Sequence, residues 1–166
     1  MTARVRVLFV CMGNICRSPT GEGVFQYYVE NAGYSDVIQV DSAGTIDYHA
    51  GNPADSRMRE AASRRGYSLN SIARQVRPED IDSFDLIVAM DLDNLMDLQE
   101  LAKGPRENIR MLGTFLDGAG RNDMARPVPD PYYGGAQGFE EVLDMIEDAC
   151  PGMLEHCLNI LRTKSG

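Results

Sequence analysis

The stretch RVRVLFVCMGNICRSPTGEGVF, residues 4–25, sets an apolar run against a short loop of small and polar residues, and that loop against a helix start. Val5, Val7, Leu8, Phe9 and Val10 are apolar at both odd and even positions, the pattern of a strand covered on both faces and therefore of a parallel sheet. Ser18 is expected as the N-cap of the helix that follows and Pro19 as its first residue. Val24, Phe25, Tyr28, Val29 and Ala32 then recur on one face until Gly33 ends it. Gly21 and Gly23 each weaken that helix by roughly 1 kcal/mol relative to Ala. A close approach of backbone to backbone would justify them.

Working outward, the alternation of strand and helix continues. VIQVDSAGT (37–45) reads as a second strand, PADSRMREAASRRG (53–66) as a polar-faced helix capped by Asp55, and FDLIVAM (84–90) as a third, buried strand. Asp91 opens another helix with Leu92, Leu95, Met96, Leu98 and Leu101 as its apolar side. NIRMLGTFL (108–116) is a fourth strand, and residues 138–163 form a long helical region that Pro151 should kink or split. The expected fold is α/β, a single domain over residues 1–166 with a four-stranded parallel sheet and helices on both faces. Such sheets bind ligands at the carboxyl ends of their strands, where the Cys11 loop lies.

The chain has 166 residues, a net charge of -9 and a pI near 4.6. That acidity argues against nucleic-acid or anionic-membrane partners, which reward clustered Lys and Arg. No stretch approaches a membrane span, and the apolar run near the N-terminus is broken by Arg6, so a cytoplasmic location is expected. The four cysteines read as reduced thiols. Cys150 and Cys157, seven apart, share a helix face and belong to the core. Histidines and cysteines lack metal-ligand spacing, so neither a metal nor a cofactor is expected. The oligomeric state is not legible in the sequence.

A strand, a tight loop and a helix N-terminus aim several backbone N–H groups and the positive end of a helix dipole at one point, which makes an anion site. Cys11 stands at its mouth, where those groups and Arg17 favour a thiolate nucleophile. The planar fork of Arg17 can hold two oxygens of a phosphate and follow them as phosphorus becomes five-coordinate. The spacing Cys-x5-Arg lets one loop, formed by Met12, Gly13, Asn14, Ile15 and Cys16, wrap the anion. Gly13 permits an unusual backbone angle, Asn14 tolerates a left-handed one, and the Ser18 hydroxyl can hydrogen-bond the thiolate.

The string VLFVCMGNICRSP and the remote segment PDPYYGG (129–135) together resemble the low-molecular-weight protein tyrosine phosphatase family. The likeness continues through VDSAGT, ARQV, FDLIVAMD and the Phe139–Leu143 helix start. The resemblance implies hydrolysis of phosphotyrosine in a phosphotyrosyl protein or an aryl phosphate: Cys11 attacks phosphorus, Arg17 holds the phosphoryl oxygens, and water hydrolyses the phosphocysteine. By itself VPDPYYGG is only a turn; the resemblance makes Asp130 the acid that protonates the leaving group and then the base for water. Tyr48, Tyr132 and Tyr133 become candidate walls for the substrate ring, with His49 beside Tyr48. Asn14, Ser18 and Ser42 map onto a network supporting the phosphate loop. Cys16 inherits a redox role as disulfide partner of the nucleophile. Relatives commonly carry His two residues before ARQ, where this chain has Ser71, so either the hydroxyl substitutes or the loop is held less rigidly.

Two other functions fit parts of the pattern. A thiol-dependent arsenate reductase uses a similar loop but needs a relay of further cysteines, and residues 80–100 contain none. A phosphate-binding or phosphocarrier module would keep its phosphocysteine, against which Arg17 with Asp130 argues.

Overall fold

The structure, a computed structural model, describes residues 4–116, 119–132 and 134–165. Strands β1 (Val5–Cys11), β2 (Ile38–Gly44), β3 (Leu86–Ala89) and β4 (Ile109–Met111) form one all-parallel sheet in the order β2-β1-β3-β4. In register, Cys11 pairs with Gly44, Val10 with Ala89, and Ala89 with Met111, so all four strands finish along one edge.

Alternation along β1 assigns the two faces. Val5, Val7 and Phe9 join a core closed by helices α1 (Arg17–Asn31), α2 (Ser56–Arg64) and α5 (Ala136–Ser165). Leu8 and Val10 join the opposite core, with α3 (Pro78–Ser83) and α4 (Leu92–Leu101). The short α3 was not foreseen from the sequence.

Helix α1 differs from its sequence reading at its start. It begins at Arg17, with Cys16 as an N-cap that makes no side-chain hydrogen bond. Ser18 therefore lies in the first turn, and its hydroxyl is turned to Cys11 instead of to the helix amides. Gly21 does answer a close approach, though to a ring: a Cβ there would lie 2.6 Å from Cδ1 of Phe9 on β1. Asp55 caps α2 as expected, accepting from the N–H groups of Arg57 and Met58. In α4 only Leu95 and Leu98 of the proposed apolar side are buried. Leu92 and Met96 are exposed, because the helix presents a narrower face to the sheet.

Strand β4 stops at Met111 and the chain turns into a 3-10 helix over Leu112–Phe115. In that turn Gly113 passes so close to the Arg126 backbone that a Cβ there would overlap its carbonyl oxygen. Pro151 does not split α5, which runs unbroken for 30 residues. Pro151 sits on its exposed side. Cys150 and Cys157 are fully buried, and burial pushes the Cys157 thiol up to about 12. Among the described residues no helix is long and apolar enough to cross a membrane.

Candidate active site

At the carboxyl edge of the sheet, β1 runs into the loop Met12–Cys16 and then into α1, and this loop lines a cleft of ≈ 230 Å³. Cys11, Arg17 and Asp130 line the same cleft, with Met12, Gly13, Ile15, Cys16, Ile46, Tyr48, His49 and Tyr132. Among the described residues, the backbone N–H groups of residues 13–17 have no hydrogen-bond partner. They stand at the N-terminus of α1, the arrangement that receives an anion.

Asn14 is the left-handed residue of the loop, with φ 57°, and it is buried. Gly13 does not adopt a left-handed angle, contrary to its sequence reading. A Cβ there would lie 3.0 Å from the His49 ring, so a larger residue would have to displace that side chain. The Asn14 side chain orders its surroundings. Its Oδ1 accepts from the Arg74 backbone N–H at 3.0 Å, so Nδ2 is the end that meets Ser18 Oγ at 2.8 Å and Ser42 Oγ at 3.0 Å. An amide nitrogen only donates, so each serine oxygen accepts there and each hydroxyl proton points elsewhere. That of Ser42 goes to Glu22 Oε1 at 2.6 Å. That of Ser18 has two acceptors in reach, Cys11 Sγ at 3.0 Å and the Ala43 carbonyl at 3.3 Å, and the Ser18 N–H lies 3.4 Å from the Cys11 sulfur.

Glu22 was not anticipated from the sequence. It lies four residues after Ser18, hence on the same side of α1, which is the one signal that links them. Burial raises its pKa; the Ser42 hydrogen bond opposes that rise, Asp41 adds to it and Arg74 again opposes it. Ser71 does not substitute for the histidine common in relatives, since its buried hydroxyl has no hydrogen-bond partner among the described residues. Glu22 and the Arg74 backbone hold the network instead.

Arg17 is almost wholly buried, its side chain 4% exposed. Its Nη1 donates to Asp91 Oδ2 at 2.6 Å and to the Val128 carbonyl at 2.9 Å, leaving the Nε–Nη2 edge for two oxygens of an anion. Burial works against the guanidinium charge, but Cys11 and Asp91 outweigh it and hold the pKa above its usual value. Asp91 has two duties: Oδ1 caps α4 through the Asn94 N–H, and Oδ2 fixes Arg17. The sequence reading assigned only the cap. Its place at the carboxyl end of a central strand was the signal for the second.

Asp130 Oδ2 stands 3.8 Å from Arg17 Nη2, and Oδ1 accepts from the Tyr132 N–H at 3.0 Å. The Asp130 side chain is 37% exposed, open to substrate and water. Tyr48, 80% exposed, meets the His49 ring edge-on at 4.8 Å, and His49 lies 6.3 Å from the Tyr132 ring, so the three rings flank the mouth. Tyr133 lies outside the described residues. Cys16 is buried, and its thiol is pushed up by burial, by Asp55 and by Cys11. Cys150 and Cys157 sit in the α5 core and do not line the cleft. No cluster of His, Cys, Asp and Glu suited to a metal occurs among the described residues.

A family model described as low molecular weight phosphotyrosine protein phosphatase matches residues 6–163. A low molecular weight protein-tyrosine-phosphatase of Streptomyces coelicolor is 44% identical over 151 residues, 90% of this chain and 91% of that relative. The crystal structure of YfkJ from Bacillus subtilis superposes with a TM-score of 0.85 at 36% identity, covering 95% of this chain and 96% of the other. A protein tyrosine phosphatase from Entamoeba histolytica, crystallised with Hepes in its active site, gives 0.82 at 42% identity over 90% and 94%.

Proposed function

Because the chain belongs to the low molecular weight phosphotyrosine protein phosphatase family, we propose that Cys11, Arg17 and Asp130 hydrolyse phosphotyrosine monoesters in the cleft at the end of β1. The carrying observation is that a strand-end thiol with a hydroxyl 3.0 Å from its sulfur shares one cleft with a buried guanidinium and an exposed carboxyl.

In the first step the Cys11 thiolate forms a bond to phosphorus while the P–O bond to the phenol breaks. Asp130 gives its proton to the departing oxygen. The free amides of residues 13–17 and the Nε–Nη2 edge of Arg17 hold the three remaining oxygens as charge redistributes over them. In the second step water forms the new P–O bond, Asp130 takes its proton, and the P–S bond breaks. The Ser18 hydroxyl stabilises the thiolate as it leaves.

Tyr48, His49 and Tyr132 flank the substrate ring, with Ile15 and Ile46 as apolar lining. Tyr133 is proposed as a further wall from its place in the motif. The substrate is a phosphotyrosyl protein or an aryl phosphate. The acidic surface disfavours nucleic acid and anionic membranes, and four free thiols fit a reducing, cytoplasmic setting.

The test compares wild type, Cys11→Ser and Asp130→Asn on a phosphotyrosyl peptide and on p-nitrophenyl phosphate, whose phenol leaves readily. Cys11→Ser is expected to lose turnover but still bind vanadate or phosphate through the loop. Asp130→Asn should lose about 10²- to 10⁴-fold in kcat/KM on the peptide and much less on the activated ester. Turnover by Cys11→Ser, or equal losses on both substrates for Asp130→Asn, would overturn these assignments.

A further inference from the structure

Resting on the reading above, we infer that Arg57 is a positioning residue that sets the acid Asp130 relative to the phosphate loop. The two parts of the site come from distant stretches of chain. Asp130 lies in the segment between Val128, whose N–H is bonded to the Met90 carbonyl at 2.8 Å, and the start of α5 at Ala136. Asp130 is tied to Tyr132 by the 3.0 Å bond from the Tyr132 N–H, so whatever fixes the Tyr132 ring limits where the carboxyl can go.

That ring faces the Arg57 guanidinium at 5.3 Å, and on Arg57 the Phe139 ring stands at 5.0 Å. Arg57 thus engages both the acid loop and the first turn of α5. Its polar edge is held as well. Arg57 Nε and Nη2 donate to the two oxygens of Asp55 at 3.2 and 3.0 Å. Burial alone would raise the Asp55 pKa; the Arg57 side chain and the backbone N–H groups of Arg57 and Met58 reverse this and hold it below the usual carboxylate value. Asp55 in turn donates its own N–H to the Ile15 carbonyl of the phosphate loop at 2.8 Å. A continuous path therefore runs from Ile15 through Asp55 and Arg57 to Tyr132 and Asp130.

Each link needs a property of arginine. The fork matches the carboxylate with two parallel bonds, while the planar, weakly hydrated cation presents its surface to aromatic rings. Lysine supplies the charge but neither of the other two. Pro131 in the same segment is buried and its carbonyl accepts from the Gly134 N–H at 3.1 Å, so the segment without Arg57 stays in place but the carboxyl is less closely aimed. A small displacement suffices to weaken proton transfer, which depends on hydrogen-bond reach to the departing oxygen.

The experiment measures kcat/KM for a phosphotyrosyl peptide and for p-nitrophenyl phosphate, with vanadate inhibition, in wild type, Arg57→Ala, Arg57→Lys and Asp130→Asn. Arg57→Ala keeps the α2 cap, which uses backbone N–H groups. It is expected to lose about tenfold on the peptide, part of the 10²- to 10⁴-fold a general acid supplies, and under threefold on p-nitrophenyl phosphate. Vanadate inhibition should stay within twofold. Arg57→Lys should resemble the alanine variant, and it carries the test if that variant does not fold. Equal losses on the two substrates, no loss on either, full rescue by lysine, or weakened vanadate binding in step with activity would each overturn the role of Arg57. If wild type itself fails to hydrolyse either ester, or Asp130→Asn shows no leaving-group dependence, the phosphatase assignment fails instead.

Discussion

Asn14 carries more of the site than its side chain suggests, because one backbone N–H, that of Arg74, settles which end of its amide is oxygen. That both serine oxygens accept there, and that the Ser42 hydroxyl turns to Glu22, follow from that single contact and from the inability of an amide nitrogen to accept. Cys16 is governed differently, by burial. Its thiol pKa is raised well above the ordinary value, whereas Cys11 lies within hydrogen-bond reach of the Ser18 hydroxyl and N–H and opens into the cleft. Peroxide should therefore oxidise Cys11 first, to a sulfenic acid. The Cys16 sulfur is then expected to form an S–S bond to Cys11 with loss of water. Mild peroxide is expected to inactivate wild type reversibly by dithiol reductants, and Cys16→Ser irreversibly. Peptide mass mapping checks this: without a Cys11–Cys16 cross-link, or with equal recovery in both proteins, Cys16 is only packing.

At the scale of elements, α1 begins two residues earlier than its Ser-Pro signature implied, because the Ser18 hydroxyl is engaged by Asn14 and Cys11 rather than by the helix amides. Helix α5 carries the clearest pH dependence. Arg110 Nη1 lies 3.2 Å from His156 Nδ1, and since a guanidinium only donates, Nδ1 accepts and the ring is neutral with its proton on Nε2. Burial, and then Arg110, hold the His156 pKa below its ordinary 6.5. Above that value the imidazole is neutral in folded and unfolded chains alike and contributes nothing. As pH falls through it, the unfolded chain takes up a proton that the folded one refuses, so stability declines. His156→Gln should lose less of its urea midpoint between pH 7 and pH 5 than wild type. Identical slopes in the two proteins would rule out this contribution.

For the whole molecule, the two cores share one sheet, so neither persists without the other. Ile87 is fully buried on the α4 side, while Tyr28 and Tyr67 pack with the opposite core. Ile87→Ala should cost about 2–5 kcal/mol. With no tryptophan in the chain, tyrosine fluorescence reports largely from the far side of the sheet. Its urea midpoint should fall together with that of far-ultraviolet circular dichroism, and separate midpoints would mean that the faces unfold independently. The sequence by itself determined the parallel sheet, through the doubly apolar runs of β1 and β3, and the loop proposed to hold phosphate, through the contiguous residues 11–18. These are local properties of hydrophobic period and turn chemistry, readable wherever the relevant residues are neighbours in the chain. Asp130 was legible only because PDPYYGG resembled a family motif, since a turn has no chemical signature of its own. The tertiary structure alone decided the second duty of Asp91, the closure of the Asn14 network by Glu22 and Arg74, and the link from Ile15 through Arg57 to Tyr132. Those contacts join residues up to 75 positions apart by the pairing of strand ends and the packing of α2 against the Tyr132 segment, and no spacing along the chain encodes a distance that only packing creates.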